Sequence, residues 1–198
     1  MSEYAGELIM REKKGILIVV SGFSGAGKGT LMKKLMQDYD NYALSISATT
    51  RQPRVGEEDG REYFFRTKEE FEKMIARDEL IEYARYVENY YGTPKQYVME
   101  QLEAGKDVIL EIEIQGALKV KEKYPDTLLL FVTPPSAQVL KDRLVGRGTD
   151  APEVIESRIA KAEFELSFAD KFDVVIVNDE LEKAEAETLK IIQDFIAK

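Results

Sequence analysis

The stretch that most constrains the fold is an apolar run followed at once by a glycine-rich turn. Residues 16–20 read ILIVV, and residues 21–30 read SGFSGAGKGT, with four glycines in ten positions. The next residues, GTLMKKLMQDY (29–39), repeat apolar side chains at helical spacing. A loop with so few side chains aims its backbone N–H groups at whatever it surrounds, and the following helix N-terminus adds a positive dipole. The stretch therefore predicts a strand–loop–helix unit that binds an anion.

The loop also has the spacing G-x-x-x-x-G-K of a P-loop, from Gly22 to Lys28. This spacing predicts that the backbone binds the phosphates of a nucleoside triphosphate, with the ammonium group of Lys28 against the terminal phosphates. The predicted triphosphate-binding residues are Gly22, Phe23, Ser24, Gly25, Ala26, Gly27, Lys28, Gly29 and Thr30. Gly29 stands where a P-loop usually has Ser or Thr, so the pattern leaves open whether the Thr30 hydroxyl reaches a phosphate or Mg²⁺.

Composition restricts the chemistry around this loop. The chain of 198 residues has no histidine and no cysteine, which excludes histidine-dependent hydrolase triads and histidine or thiolate zinc sites. Phosphoryl transfer fits, because it depends mainly on positioning and electrostatics. The net charge of −9 disfavours nucleic acid and anionic membranes as partners. The N-terminal residues lack the apolar stretch of a secretory signal, so we expect a cytoplasmic protein. We also expect either a monomer or a small homo-oligomer.

Apolar runs and helical patterns alternate along most of the chain. Strands are predicted at 15–21, 106–114, 126–135 and 172–179, and their apolar residues occupy both faces, as in a covered parallel sheet. The fold class predicted is α/β, a three-layer P-loop NTPase core with a parallel sheet. Its predicted segments are 15–44, 98–135 and 165–198, and residues 136–164 are predicted to form a helical lid.

Residues 45–97 interrupt this alternation and are predicted to form an inserted mixed α+β lobe. Turn residues and short aromatic strands precede the helical pattern TKEEFEKMIARDE, where Thr67 and Glu70 have capping-box spacing. LIEYARYVENYYGTP (80–94) then predicts strands joined by a turn. Arg51 and Arg54 lie in a lobe loop and suit bidentate phosphate binding, although the nearby acidic residues Glu57, Glu58 and Asp59 could equally pair with them.

Six motifs, in order, resemble the guanylate kinase family over roughly residues 15–197. They are SxSATTRxPRxGExDGxxYFF, IEYAxxxxxYYGTP, ILEIEIQGA, FVTPPS, RLxGRGT and VIVND. The resemblance implies transfer of the γ-phosphoryl group of ATP, bound with Mg²⁺, to GMP and also to dGMP. The products would be ADP and GDP, as in purine nucleotide metabolism and GMP recycling.

The resemblance also implies residue roles for the acceptor. The GMP phosphate would be held by Arg51, Arg54, Tyr63 and Tyr91, and the guanine would be read by Ser47, Glu82, Thr93 and Glu113. A carboxylate accepts from guanine N1–H and the 2-amino group, whereas adenine leaves it unpaired. Alternation in the strand predicted at 106–114 puts Glu111 and Glu113 on one face, and the resemblance implies that Glu111 lies near Mg²⁺, with Thr30 as the other candidate.

On the donor side, the resemblance implies that lid arginines close over the triphosphate. These are Arg143, Arg147 and Arg158, which with Lys28 and Arg51 are the predicted catalytic residues. Asn178 resembles a position near the adenine but could equally cap a helix. Two alternatives remain open from the sequence: a kinase for another nucleoside monophosphate, and a non-catalytic guanylate kinase-like interaction module.

Overall fold

The central element of the computed structural model is a five-stranded parallel sheet; the structure describes residues 14–86, 88–146, 148 and 151–198. Its strands are β1 (Leu17–Gly22), β2 (Tyr42–Leu44), β7 (Asp107–Glu111), β8 (Leu128–Thr133) and β9 (Val174–Val177). They lie in the order β2-β7-β1-β8-β9, and each neighbouring pair is parallel. Every residue of β1 from Leu17 to Ser21 is buried, so both faces of the sheet are covered. The predicted α/β class is confirmed.

Helices connect and cover these strands. They are α1 (Lys28–Asp38), α3 (Lys95–Glu103), α4 (Ile114–Lys123), α5 (Ala137–Gly146), α6 (Pro152–Leu166) and α7 (Leu181–Ile196), with a short 3-10 turn at Ala169–Lys171. The apolar faces expected from the sequence are buried: Leu31 and Leu35 of α1, and Ala184, Thr188 and Ile192 of α7. No helix in the described part of the chain is both long and apolar enough to cross a bilayer.

The inserted lobe has a second sheet and a small core of its own. Its elements are β3 (Ala48–Thr49), β4 (Phe64–Phe65), α2 (Lys68–Ala76), β5 (Leu80–Tyr86) and β6 (Asn89–Pro94), with strand order β4-β3-β6-β5. The β3–β4 pair is parallel and the other pairs are antiparallel, so the sheet is mixed. Phe71 of α2 is fully buried and stacks on Tyr90 at 5.2 Å. The capping box of Thr67 and Glu70 is confirmed, because each side chain accepts from the other residue's backbone N–H.

The structure differs from the sequence prediction at the end of β7. This strand ends at Glu111, and α4 begins at Ile114, the residue at which the strand was predicted to end. The chain turns here because the Ser21 hydroxyl donates to the carbonyl of Ile112, and Glu113 takes the N-cap position of α4. The predicted placement of Glu111 and Glu113 on one strand face is therefore wrong. Neither β2 nor α3 was predicted, and α3 crosses the position where the lobe was expected to end.

Candidate active site

The glycine-rich loop connects β1 to α1, as predicted, and two of its glycines are fixed by close contacts. Gly22 has φ 136°, and a Cβ placed on it would lie 2.1 Å from the carbonyl oxygen of Val132 on β8. Gly27 has φ 87°, and a Cβ there would lie 2.4 Å from Nδ2 of Asn178. A side chain at either position would be strained both by the backbone and by the contact. These glycines therefore set the shape of the loop at the carboxyl end of the sheet, where α/β folds bind ligands.

Lys28 is the first residue of α1, and its side chain turns back over the loop. Its Nζ donates to the carbonyl oxygens of Gly22, at 2.7 Å, and Phe23, at 3.0 Å. The loop thus places its one positive side chain at its own centre. A bound phosphate would meet this ammonium group together with the N–H groups of the helix N-terminus.

Asn178 and Arg143, which lie outside the loop in sequence, both hydrogen-bond to its backbone. The buried Asn178 donates from Nδ2 to the carbonyl oxygen of Ala26 at 2.9 Å. Arg143 donates from Nη1 to the same oxygen at 3.4 Å and from Nη2 to the Asn178 carbonyl at 2.9 Å. The alternative interpretation of Asn178 as a helix cap is wrong, because Glu180 occupies the N-cap of α7.

Arg158 reaches the loop from α6. Its Nη1 lies 2.5 Å from the Ser24 hydroxyl, so one of the predicted lid arginines contacts the P-loop directly. Arg147, the remaining lid arginine, lies outside the described residues.

A cavity of about 560 Å³ connects the P-loop to the inserted lobe. The predicted site residues that line it are Gly22, Ser24, Lys28, Ser47, Tyr63, Glu82, Tyr91, Glu111, Glu113 and Arg158. Donor-side and acceptor-side candidates, far apart in sequence, therefore share one cavity. Arg51, Arg54, Thr93, Arg143, Asn178 and Thr30 lie outside its lining.

Glu82 is one of two buried carboxylates that line this cavity, and the other is Glu165. The β5 strand advances three residues, from Leu80 to Tyr83, while β6 advances two, so Glu82 lies in an irregular stretch of the hairpin. Such bulges re-aim side chains next to functional sites. The Glu82 side chain accepts a 2.9 Å hydrogen bond from the Thr93 hydroxyl. Burial raises the pKa of Glu82, and the hydrogen bond from Thr93 opposes this change.

The lobe arginines occupy different environments. Arg51 forms a bidentate pair with Glu57, at 2.9 Å for both contacts, and its guanidinium lies 5.3 Å from the centre of the Tyr63 ring. Arg54 is exposed, and its backbone N–H donates to the Glu57 carboxylate at 2.7 Å. The two phenols are adjacent, with the rings of Tyr63 and Tyr91 6.1 Å apart. Burial raises the pKa of Tyr63, which keeps its hydroxyl protonated as a donor.

Of the two candidate metal residues, Glu111 lines the cavity and Thr30 does not. Glu111 ends β7 with its side chain exposed in the cavity, and its Oε2 would lie 3.7 Å from a Cβ placed on Gly29. Thr30 is exposed on α1 outside the cavity lining. Within the described ranges, no group of three or more acidic residues is arranged to hold a metal ion. A cation here would therefore take most of its ligands from phosphate and water.

Sequence reasoning missed two residues of α6. Lys161 lies 3.5 Å from Glu113 and 3.2 Å from Glu165, and both Lys161 and Glu165 line the cavity. Burial raises the pKa of Glu165, and Lys161 opposes that change. Their spacing from Arg158 could have predicted them. Lys161 and Glu165 follow Arg158 by three and seven residues, and positions at this spacing lie on one face of a helix.

Comparison with known proteins identifies the family. The family model described as guanylate kinase matches residues 14–197. A guanylate kinase of Lactococcus lactis subsp. lactis is 53% identical over 93% of this chain and 89% of its own length. One from Caldanaerobacter subterraneus subsp. tengcongensis is 51% identical over 87% of this chain and 84% of its own. The chain belongs to the guanylate kinase family.

A solved structure supports the same guanylate kinase assignment. The crystal structure of guanylate kinase from Anaplasma phagocytophilum superposes with a TM-score of 0.73 at 31% identity, covering 92% of this chain and 86% of that one. The guanylate kinase match therefore includes the P-loop, the inserted lobe and α6 together, and not only the nucleotide-binding core.

Proposed function

We propose that this member of the guanylate kinase family transfers the γ-phosphoryl group of ATP to GMP or dGMP, giving ADP and GDP or dGDP. One observation carries the proposal: Lys28 on the P-loop and the buried Glu82 carboxylate line the same cavity. A phosphate-binding cation on one wall and an acceptor for guanine N–H groups on the other suit a triphosphate donor and a guanine nucleotide acceptor.

The donor ATP lies along residues 22–30, with its phosphates on the backbone N–H groups of the loop. Lys28 exchanges its bonds to the carbonyls of Gly22 and Phe23 for bonds to the terminal phosphates. Asn178 and Arg143 hold the loop from the side of Ala26, where the adenine end of the nucleotide lies. Arg143, Arg147 and Arg158 supply positive charge to the transferring group, a contribution of about 10³-fold or more in rate for arginines of this kind.

The acceptor GMP lies in the lobe. Its phosphate is held by Arg51, Arg54 and the hydroxyls of Tyr63 and Tyr91. Its guanine donates from N1–H and the 2-amino group to Glu82, whose orientation Thr93 fixes by donating to Oε1. Ser47 and Glu113, which also line the cavity, complete the base-reading group. Adenine has an unprotonated N1 and would leave the buried Glu82 carboxylate without a donor.

The divalent metal that accompanies ATP is Mg²⁺ in this proposal, and Glu111 is the residue that would hold it through water. The fit rests on the exposed Glu111 carboxylate beside Gly29, a hard oxygen donor of the kind that Mg²⁺ prefers. Thr30, which is exposed one residue after Gly29, is the second candidate. Mg²⁺ supplies charge neutralisation on the phosphate oxygens.

This reaction needs no histidine and no other general base. The attacking oxygen belongs to the GMP phosphate and is already ionised, so the protein's tasks are alignment, charge stabilisation and the exclusion of water. Water in the cavity would otherwise accept the phosphoryl group and waste ATP. We place the reaction in the cytoplasm, where ATP is the available donor, and propose no partner beyond the two nucleotides.

A nucleotide panel with ATP·Mg²⁺ as donor tests the assignment. GMP and dGMP should support ADP release, and kcat/KM for AMP, UMP and dTMP should be lower by about 10²-fold or more, since a site built for hydrogen bonds rejects bases that leave them unmade. A preference for AMP would overturn the guanine assignment. GMP binding without turnover would instead indicate an interaction module.

A P-loop variant tests the mechanism. Lys28→Met should lower kcat by about 10²-fold or more, in the range for removing one preorganised cationic donor. Lys33→Met is the matched control, because Lys33 is an exposed lysine on the same helix. Undiminished GMP-dependent turnover in Lys28→Met would contradict the proposed donor site.

A further inference from the structure

The Glu57 carboxylate is bound to both arginines of the lobe loop. Oε1 accepts from Nη2 of Arg51, and Oε2 accepts from Nη1 of Arg51 and from the backbone N–H of Arg54. The Arg51 and Glu57 side chains are only 16% and 17% exposed, so this pair is shielded from water on most sides. The hydrogen bonds that Arg51 donates to Glu57 raise the pKa of Arg51 and lower the pKa of Glu57. Both groups therefore remain ionised.

The hydrogen bonds of Arg51 to Glu57 and Gln52 leave one edge of the guanidinium unused. The Glu57 carboxylate binds the end of the guanidinium, where it accepts from both Nη1 and Nη2. Nη1 donates its other hydrogen to the Gln52 carbonyl at 2.7 Å. Glu57 and Gln52 do not use the edge formed by Nε and the second hydrogen of Nη2. The Tyr91 phenol, which also hydrogen-bonds to Arg51, is itself proposed to hold the acceptor phosphate. Two parallel donors on one edge match two oxygens of a phosphate.

The faces of the guanidinium are also fixed. Tyr63 and Phe65 lie 5.3 Å and 5.8 Å from its central carbon, so the plane cannot turn freely about its long axis. The Tyr91 phenol is close enough to contribute to the raised pKa of Arg51. Arg51 is therefore held on its end by a carboxylate and on its face by aromatic rings, next to the two phenols proposed to hold the acceptor phosphate.

Glu57 fixes the adjacent backbone as well. Its own N–H donates to the Arg54 carbonyl at 3.0 Å while its side chain accepts from the Arg54 N–H. This reciprocal pairing closes a turn through Gly56, which has φ 87°. The Glu57 carboxylate thus fixes both the orientation of the Arg51 guanidinium and the backbone position of Arg54.

We propose that Glu57 is a positioning residue for the acceptor phosphate, which holds Arg51 by the end of its guanidinium so that the edge of Nε and Nη2 faces the phosphate of GMP. The inference rests on the proposed function. In this role Glu57 does not compete with the phosphate for Arg51. The Glu57 carboxylate binds the end of the guanidinium, and the phosphate would bind its Nε–Nη2 edge, so both can be bound at once.

The test compares binding of GMP with binding of guanosine, which has no phosphate. Glu57→Gln keeps the shape but replaces one acceptor oxygen with a donor, so it cannot accept from both Nη1 and Nη2. The GMP dissociation constant should rise about tenfold, as expected when a charge-assisted bidentate contact is lost. The guanosine dissociation constant and the KM for ATP should stay unchanged.

Two further variants separate positioning from other effects. Glu58→Gln is the matched control for charge, because Glu58 is 71% exposed and pairs with Arg61 instead. It should leave GMP binding within about twofold, as a screened surface charge does. In an Arg51→Lys background, Glu57→Gln should cause little further loss, since the effect acts through the Arg51 fork.

Other outcomes would overturn the inference. Tighter GMP binding by Glu57→Gln would identify Glu57 as a competitor, and a parallel loss of guanosine binding would identify a structural role only. An equal loss in the Arg51→Lys background would show that Glu57 does not act through Arg51. Failure of the wild-type protein to phosphorylate GMP would count against the proposed function itself. That result comes from a turnover assay, whereas the role of Glu57 is tested by the dissociation constants.

Discussion

The hydroxyl of Thr93 donates to Oε1 of Glu82 at 2.9 Å, and both side chains are buried where the β5–β6 hairpin meets α4. The other carboxylate oxygen, Oε2, lies against Gly116 of α4 and would be 2.8 Å from a Cβ placed there. Glu82 is therefore held on one side by a hydrogen bond and limited on the other by a glycine. Its position is set jointly by the lobe and the core.

This arrangement makes Gly116→Ala a specific perturbation of Glu82, the carboxylate proposed to read the base. The added methyl would also approach Cδ of Glu82 at 3.4 Å, so the flexible end of Glu82 must move. We expect the KM for GMP to rise about tenfold, corresponding to about 1.4 kcal/mol. Thermal stability should change little, because Ala favours a helix over Gly by about 0.5–1 kcal/mol and offsets part of the strain. Steady-state kinetics and thermal unfolding measure the two effects.

The matched control is Gln115→Ala, which adds the same residue at the exposed neighbouring position of α4. It should leave the KM for GMP unchanged. An unchanged KM in Gly116→Ala would mean that Glu82 can shift without loss of guanine binding.

Burial of Glu82 also predicts a pH dependence. Its raised pKa means that the carboxylate becomes protonated at a higher pH than its ordinary value of 4.5. Guanine binding needs the ionised form, so affinity should be complete above the raised pKa and should fall as the pH falls through it. Guanosine is the suitable ligand, because a phosphate group titrates near pH ~6 and would mask the change. Calorimetric titration from pH 7 to acid measures it, and in Glu82→Gln the dependence should disappear.

Local sequence rules predicted the elements with strong, self-contained signals. The P-loop, the four long central strands and the Thr67 capping box each follow from spacing within a few residues, and the structure contains all of them. β2 was missed because three residues, Tyr42–Leu44, are too short to show a period. Helix α3 was missed because it begins directly after Pro94 at the end of β6, with no side-chain cap.

The candidate site was harder to predict where distant parts of the chain meet. EIEI at 111–114 alternates like a strand, but the bond from the Ser21 hydroxyl to Ile112 ends the strand early, and no local pattern reveals that contact. The sequence could not choose between a phosphate and an acidic partner for Arg51. The structure shows the acidic partner, Glu57, on the end of the guanidinium, and Glu57 leaves the edge of Nε and Nη2 unused.

Asn178→Ala should make the P-loop less stable by removing a hydrogen bond to its backbone. The substitution removes the buried donor to the Ala26 carbonyl and leaves that oxygen with the longer 3.4 Å bond from Arg143. The free energy of unfolding should fall by about 0.5–1.5 kcal/mol, the usual net contribution of one hydrogen bond, because Arg143 still donates to this oxygen. The KM for ATP should rise severalfold while guanosine affinity stays constant. Asp179→Ala, at the exposed next position, is the control, and an equal change in it would point to the chain segment and not to the Asn178 amide.

Asp78 predicts a loss of stability in acid. It lies between α2 and β5 and pairs with Lys95 at 2.6 Å and with Lys123 at 2.9 Å, which lowers its pKa from 3.8 to about 2. A depressed folded pKa contributes stability that is complete above the unfolded value of 3.8 and is lost as the pH falls towards about 2. Asp78→Asn removes this contribution, and Asn tolerates the φ of 52° at this position.

Urea unfolding of wild type and Asp78→Asn between pH 6 and pH 2 measures the effect. The wild-type protein should be the more stable above pH 4, by a constant difference, and the two curves should converge as the pH approaches 2. The control is Asp40→Asn, since Asp40 is exposed and has no ion pair within the described ranges, and its difference from wild type should stay small throughout. A difference for Asp78→Asn that persists unchanged at pH 2 would show that the two lysine contacts do not stabilise the ionised carboxylate.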